Sequence, residues 1–269
     1  MNAFLKTRAV NPRGHLSWRA ISGVVVRIVE RRPRALDLKQ LGWSPFHFVR
    51  VRRLVDLPQG LFLIAGPPGS GCSTTLYAAI SALVREDRKI VTLEENVEYP
   101  LPGVLQTRLD ARGDTTRGAA LRALFRQDPD VLLVDQLEDR TAADAALDAA
   151  LAGRKVLAGI EAVDSVSALS RLEELGIDAG RISRGVSAVL AQRLVPRLCS
   201  ECRVLASPET LPVKSFDLEV DRLDESTFYG PGGCRRCGDR GFQGKLALHE
   251  VLVLTPGVRD AVARRRPDD

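Results

Sequence analysis

The sequence predicts an α/β protein built on a parallel sheet, and three observations carry that prediction. Between residues 61 and 160, short apolar runs alternate with longer helical patterns, as they do when crossover helices join parallel strands. A glycine-rich loop directly follows the first of these runs. The composition, 45% hydrophobic and 27% charged over 269 residues, supplies a buried core and excludes wholesale disorder or a collagen-like chain.

Taken in order, residues 1–57 read as a small N-terminal piece. It has a β-branched strand at 24–29, then Arg31, Arg32, Pro33 and Arg34, then a helical linker. The sheet domain is expected over 58–198, with strands at 61–65, 90–93, 131–134 and 156–160. Helices are expected at 74–84, 118–125 and 142–151, each rich in Ala and Leu with apolar residues returning every three or four positions. After Leu198 the pattern gives way to prolines, paired glycines and four cysteines, which cannot build a large apolar core unaided. Residues 199–255 therefore read as a metal-stapled appendix, a zinc-binding and C-terminal helical region, and 256–269 as a flexible tail. No apolar run approaches the roughly 18 to 20 residues of a spanning helix, and the first ten residues lack the apolar stretch of a secretory signal. A cytoplasmic chain is expected. The net charge of +5 would suit phosphates, acidic partners or anionic lipid without choosing among them.

The loop reads Gly66-Pro67-Pro68-Gly69-Ser70-Gly71-Cys72-Ser73-Thr74-Thr75. Between a strand and a helix, such a loop wraps its backbone N–H groups around phosphate, and Gly66, Gly69 and Gly71 permit the positive φ angles and close approach this requires. Residues Gly66 to Thr74 are thus candidates for holding a nucleotide; a plain Gly/Pro turn is the alternative. The phosphate-loop template has Lys before the hydroxyl residue, whose ammonium offsets charge on the β and γ phosphates. Here that position is Cys72, and a neutral thiol cannot replace the cation. Cys72 is either a redox-sensitive thiol acidified by the helix N-terminus or a small side chain tolerated once the lysine ceased to matter. Ser73 keeps the hydroxyl that would ligate Mg²⁺.

Cys199-Ser200-Glu201-Cys202 and Cys234-Arg235-Arg236-Cys237 form two CxxC pairs, a spacing suited to tetrahedral Zn²⁺. Four sulfur ligands leave no open position, so the zinc would be structural. Redox and iron–sulfur chemistry are the alternatives, and a reducing cytosol disfavours disulfides. Arg235, Arg236 and Arg240 beside these cysteines would suit nucleic acid, but aromatic interleaving is absent, which argues for a solvated basic face.

Several longer stretches resemble the type II secretion and type IV pilus assembly ATPases. They are Gly66 to Tyr77, the acidic Val91-Thr92-Leu93-Glu94-Glu95-Asn96-Val97-Glu98-Tyr99-Pro100, and Leu121-Arg122-Ala123-Leu124-Phe125-Arg126-Gln127-Asp128-Pro129-Asp130. Ala191-Gln192-Arg193-Leu194 with the following cysteines, and Gly241 to Lys245 with His249 to Leu252, extend the resemblance over about residues 20 to 255. The resemblance implies a RecA-like phosphate-loop core, ATP and magnesium, a tetracysteine zinc subdomain, and a hexamer of this chain or of this chain with a paralogue. It also implies a place at the inner-membrane platform of a secretion or pilus machine. Much of the family's N-terminal region has no counterpart, so the resemblance is to a truncated member whose coupling to that platform is in doubt.

Three positions depart from the family pattern together. Cys72 stands at the lysine, Gln136 at the catalytic glutamate after the strand 131–134, and Glu161 at the histidine of the His box. A Gln amide cannot take a proton from water as a carboxylate does, and losing one well-placed electrostatic group commonly costs about 10² to 10³ in rate. Asp135, where the family has Gly, would still hold Mg²⁺. Glu94, Glu95 and Glu98 keep the acidic box, with Glu95 in place of Asp; each is either a metal or water ligand or a solvated loop carboxylate. Arg122 and Arg126 suit a phosphate contact, a subunit boundary or plain solvation, and Arg27 also matches the family's small domain. The expectation is a nucleotide-binding or structural subunit with weak or no hydrolysis. A slow working ATPase and a zinc-bearing nucleic-acid binder are the alternatives.

Overall fold

The computed structural model describes residues 37–109, 115–207 and 227–264. The strand expected at 24–29, with Arg27, and the last five residues lie outside the described residues. Helix α1 (Pro45–Val55) leads into β1 (Gly60–Ala65), the glycine loop and α2 (Cys72–Ser81). Then come β2 (Ile90–Glu94), β3 (Val104–Arg108), α3 (Arg117–Phe125), β4 (Val131–Val134), α4 (Arg140–Leu151) and β5 (Lys155–Ile160). Helices α5 (Ser165–Glu174) and α6 (Ala179–Gly185) precede the long β6 (Val186–Leu198). The chain finishes with β7 (Val204–Ala206), β8 (Phe228–Gly230), β9 (Phe242–Val253) and α7 (Pro256–Arg264).

Among the described residues, seven strands form one sheet in the order β3-β2-β4-β5-β1-β6-β9. Neighbours from β3 to β6 pair in parallel, and β9 closes the edge antiparallel to β6. The sheet is covered on both faces, which is why its central strands read as unbroken apolar runs. Alternation sorts β1: Leu61, Leu63 and Ala65 enter the core beneath α3, α4 and α6, while Phe62 and Ile64 enter the core beneath α1 and α2.

Most helices start where a short polar side chain can cap them. Ser44, Thr116, Asp139, Asp164 and Asp178 each accept a backbone N–H in the first turn of α1, α3, α4, α5 and α6. Helix α2 differs: its cap is Gly71 in the left-handed region, with no side-chain hydrogen bond. Its first N–H groups have no side-chain acceptor, and they border the loop.

The expected strands at 61–65, 90–93, 131–134 and 156–160 fall within β1, β2, β4 and β5, and the expected helices within or across α2, α3 and α4. Two boundaries change. Residues 242–253, expected in a helical part of the appendix, are instead a full strand of the main sheet, because Val251, Leu252 and Val253 find apolar neighbours on both faces of it. Residues 256–264, expected as flexible tail, are helix α7, held by Val258 and Val262 on the core and by Arg259 donating to the Ser183 carbonyl. The linker helix α1 is likewise part of the core, through Val51, Leu54 and Val55. At its end the Leu54 carbonyl accepts from Lys155 Nζ at 2.7 Å. Burial pushes that lysine down to about 7.

Candidate functional site

Strand β1 delivers Ala65 to the carboxyl edge of the sheet, where the loop turns on its glycines. Gly69 and Gly71 have φ of +81° and +89°, values that side chains rarely adopt. A Cβ on Gly66 would lie 2.7 Å from the Gln192 carbonyl oxygen, so this position requires glycine for close approach. Ser70 is buried, and its N–H donates to the Pro67 carbonyl at 3.0 Å. Ser73 is exposed and Thr74 half-buried in the first turn of α2. The loop is thus a backbone cradle with N–H groups at its mouth, the geometry that receives phosphate.

One residue that braces this cradle carried no assigned role in the sequence. Gln192, buried on β6, donates from Nε2 to the Ser70 carbonyl at 2.9 Å and accepts from Thr75 Oγ1 at 2.8 Å. The available signal was a lone amide closing the apolar run 188–191. Cys72 begins α2, with Sγ 3.2 Å from Ser70 Oγ. Burial pushes its thiol up, outweighing the lowering from Ser70 and the backbone, so the acidified redox thiol is not what the fold provides. A neutral thiol occupies the lysine's position.

The acidic box divides. Glu94 is fully buried and accepts from Thr92 Oγ1 at 2.5 Å, from Gln106 Nε2 at 3.2 Å and from the Tyr77 hydroxyl. Burial and this carboxylate drive the Tyr77 phenol well above its ordinary range, so it remains a donor. Glu94 is therefore neither a solvated loop acid nor an open metal ligand; it ties β2 to α2 and β3. Glu95 and Glu98 are exposed, and the Glu98 N–H donates to the Tyr77 hydroxyl oxygen at 3.1 Å.

Asp135 leaves the end of β4 at the same edge, two strands from the cradle in the order β4-β5-β1. Its Oδ2 accepts from the Glu95 N–H at 2.6 Å, and its Oδ1 pairs with the guanidinium of Arg117. Gln136 is half-buried near Gly159, whose added Cβ would lie 3.1 Å from its Oε1. Glu161 is exposed beyond β5. The fold thus brings Cys72, Gln136 and Glu161 to one edge of the sheet, as the sequence order required. Arg122 and Arg126 are exposed on and beyond α3.

The four cysteines converge. Cys199 and Cys202 follow β6, Cys234 and Cys237 precede β9, and their sulfurs all lie within 4.8 Å of one another. Contacts of 4.0 Å (Cys199–Cys234) and 3.8 Å (Cys202–Cys237 and Cys234–Cys237) match the roughly 3.8 Å edge of a tetrahedron with metal–sulfur bonds of about 2.3 Å. The donor set fits a zinc ion. Nearby, Arg236 pairs with Glu201 at 2.6 Å, Arg240 donates to the Cys237 carbonyl at 3.1 Å, and Arg203 lies 4.2 Å over the Tyr229 ring.

A mostly parallel sheet covered on both faces, with a glycine-rich loop at the carboxyl edge of β1, defines an α/β fold of the phosphate-loop kind. Two solved structures share it: the pilus retraction motor PilT with bound ADP and the ATPase DotB of Legionella pneumophila, both at a TM-score of 0.60. They are 22% and 21% identical, cover 84% and 86% of this chain, and are covered over 55% and 54% of their own length. The chain belongs to the type II/IV secretion system protein family, whose model matches residues 4–268. It is 39% identical over 243 residues to the type II secretion system protein E of Klebsiella pneumoniae, covering 90% of this chain and 48% of that protein. It is 35% identical over 238 residues to the type IV pilus assembly ATPase PilB of Thermus thermophilus, covering 88% and 27% respectively. The chain spans about half the length, or less, of these curated relatives. Among the described residues, no helix is long and apolar enough to cross a membrane.

Family membership implies a nucleotide and magnesium. The cradle fits the first: its backbone turns through positive φ at Gly69 and Gly71, and nothing lies within 4 Å of a Cβ built on Gly69. Two of the acidic groups, Glu94 and Asp135, do not fit the second, whereas Glu95, Glu98 and the Ser73 hydroxyl are exposed. Glu94 is sealed in its network, and the Asp135 carboxylate already holds a guanidinium and a backbone N–H.

Proposed function

We propose that this chain is a nucleotide-binding or structural subunit of a secretion or pilus motor, with weak or no ATP hydrolysis. The observation that carries this reading is the contrast at the cradle: backbone shaped for phosphate, and a neutral Cys72 thiol where transfer needs a cation. The first N–H groups of α2 would hold the phosphates, braced from below by Gln192. The Gln136 amide cannot accept a proton from attacking water, and the exposed Glu161 adds negative charge rather than stabilising it. The relatives' names place them in secretion or pilus assembly, so the same setting is proposed for this chain. There it would sit at the cytoplasmic face of the inner membrane, within a hexamer of identical chains or with a catalytically competent paralogue. Structural zinc on the four cysteines would hold the β6–β9 end together. The engagement of Arg236, Arg240 and Tyr229 within that end disfavours the nucleic-acid reading.

Phosphate release by the purified, zinc-loaded chain tests this. No release above background is expected. Turnover that disappears in Ser73→Ala would overturn the reading in favour of a working ATPase. Calorimetric titration with ATP then separates a nucleotide-responsive subunit from a purely structural one.

A further inference from the structure

The pairing at the end of β4 goes beyond the loss of catalytic groups. Arg117 is only 6% exposed, in the first turn of α3. Its guanidinium meets Asp135 Oδ1 through Nη1 and lies 3.5 Å from Glu138 Oε2 through Nη2. The other oxygen of Asp135 accepts the Glu95 N–H at 2.6 Å. Adjacent strands are about 4.8 Å apart, so this pair stands roughly 10 Å across β5 from the cradle. At that edge of a phosphate-loop fold an aspartate serves a divalent cation.

We infer that the Arg117 guanidinium takes the electrostatic place of a cation at Asp135, so that magnesium, left with Ser73 and the phosphates, adds little to nucleotide affinity at the candidate site. This rests on the nucleotide-binding reading proposed above. The guanidinium keeps its charge at every pH a cell reaches, so Asp135 is neutralised permanently and by an internal group. A dication drawn to Asp135 would have to displace a buried guanidinium from its nearest carboxylate, leaving it the more distant, solvent-facing Glu138 at 3.5 Å, and poorly compensated buried charge is strongly unfavourable. Magnesium also demands a near-octahedral set of oxygens and dehydrates reluctantly. The buried Glu94 cannot join such a set without breaking its bonds to Tyr77, Thr92 and Gln106.

Two measurements on the zinc-loaded chain decide this. A fluorescent ADP analogue is titrated in magnesium-free buffer and in magnesium. Dissociation constants agreeing within about twofold are expected, and tightening of about tenfold or more by magnesium would overturn the inference. If the analogue does not bind under either condition, nucleotide binding fails while the cation claim is still decided by the second measurement. There, Mn²⁺ is titrated and followed by electron paramagnetic resonance. The unmodified chain is expected to show no Asp135-dependent Mn²⁺ site. Arg117→Leu, or Arg117→Gln should the leucine variant not fold, is expected to gain one that the added Asp135→Asn removes. An Mn²⁺ site in the unmodified chain that Asp135→Asn abolishes, or no gain in a folded Arg117 variant, would sink it.

Discussion

The phosphate cradle and the cysteine cluster place their requirements in opposite parts of the chain. At the cysteines, side-chain chemistry is the structure: four sulfurs within 4.8 Å organise a region where Leu205, Val204 and Tyr229 remain exposed and little apolar surface is buried. At the cradle, backbone and bracing are the structure, supplied by Gly66, Gly69, Gly71 and Gln192. The residues that would act on phosphate contribute little to that framework. The comparison teaches that Cys72, Gln136 and Glu161 can stand where the family has Lys, Glu and His within an intact α/β sheet, whereas the cysteine region depends on the four sulfurs that converge in it.

The largest test of this contrast is metal removal. Apparent binding energies of structural zinc in small finger domains run to about 10–16 kcal/mol. Cys199→Ser or Cys237→Ser should lose stoichiometric zinc and open residues 199–207 and 227–241 to protease, while amides of β1 and β5 keep their exchange protection. Loss of protection throughout would show the two regions to be one folding unit and break the comparison.

A control lies at the opposite edge of the sheet, where neither region reaches. Lys155 is pushed by burial to about 7, below its ordinary 10.5. The unfolded chain therefore binds the extra proton between those values, so stability rises with pH across that window and the full penalty applies below about 7. Lys155→Met should flatten this slope and raise stability near pH 6 by on the order of a few kcal/mol. Urea unfolding of both proteins across the window measures it; parallel slopes would refute it.

Next in size is the brace. Gln192→Leu strands the buried Ser70 carbonyl and Thr75 hydroxyl, each costing about 1–3 kcal/mol, so a loss of roughly 2–6 kcal/mol is expected in denaturant unfolding. An unchanged midpoint would mean the glycines alone maintain the cradle. The smallest effect is expected at Cys72. Cys72→Ala should change stability by less than about 1 kcal/mol, because the thiol's side-chain partner among the described residues is the solitary hydroxyl of Ser70. Since burial raises its pKa, Cys72 should alkylate more slowly than a free thiol near neutral pH. Faster alkylation would restore the redox reading.

Much of this was legible along the chain because the responsible forces are local. Glycines at 66, 69 and 71, the capping Ser, Thr and Asp residues, and the apolar runs of β1, β2, β4 and β5 act through their own or adjacent turns. The cysteine spacing marked the four residues that converge as a cluster. By contrast, β9 was hidden in a cysteine-rich context, since its partner β6 lies about 50 residues earlier and its register depends on that pairing. Helix α7 was hidden for the same reason: its anchors, the core and the Ser183 carbonyl, are distant in sequence.

The sequence by itself determined the family, the α/β class, the cradle and the cysteine ligand set, because each is written in spacing and residue type within a short stretch. Only the tertiary structure decided what the polar residues do. It turned Glu94 into a buried tie, Gln192 into a brace and Asp135 into the partner of Arg117. The physical reason is that a carboxylate or amide takes its role from whichever donor or charge the fold carries to it, and burial sets how strongly it must be satisfied.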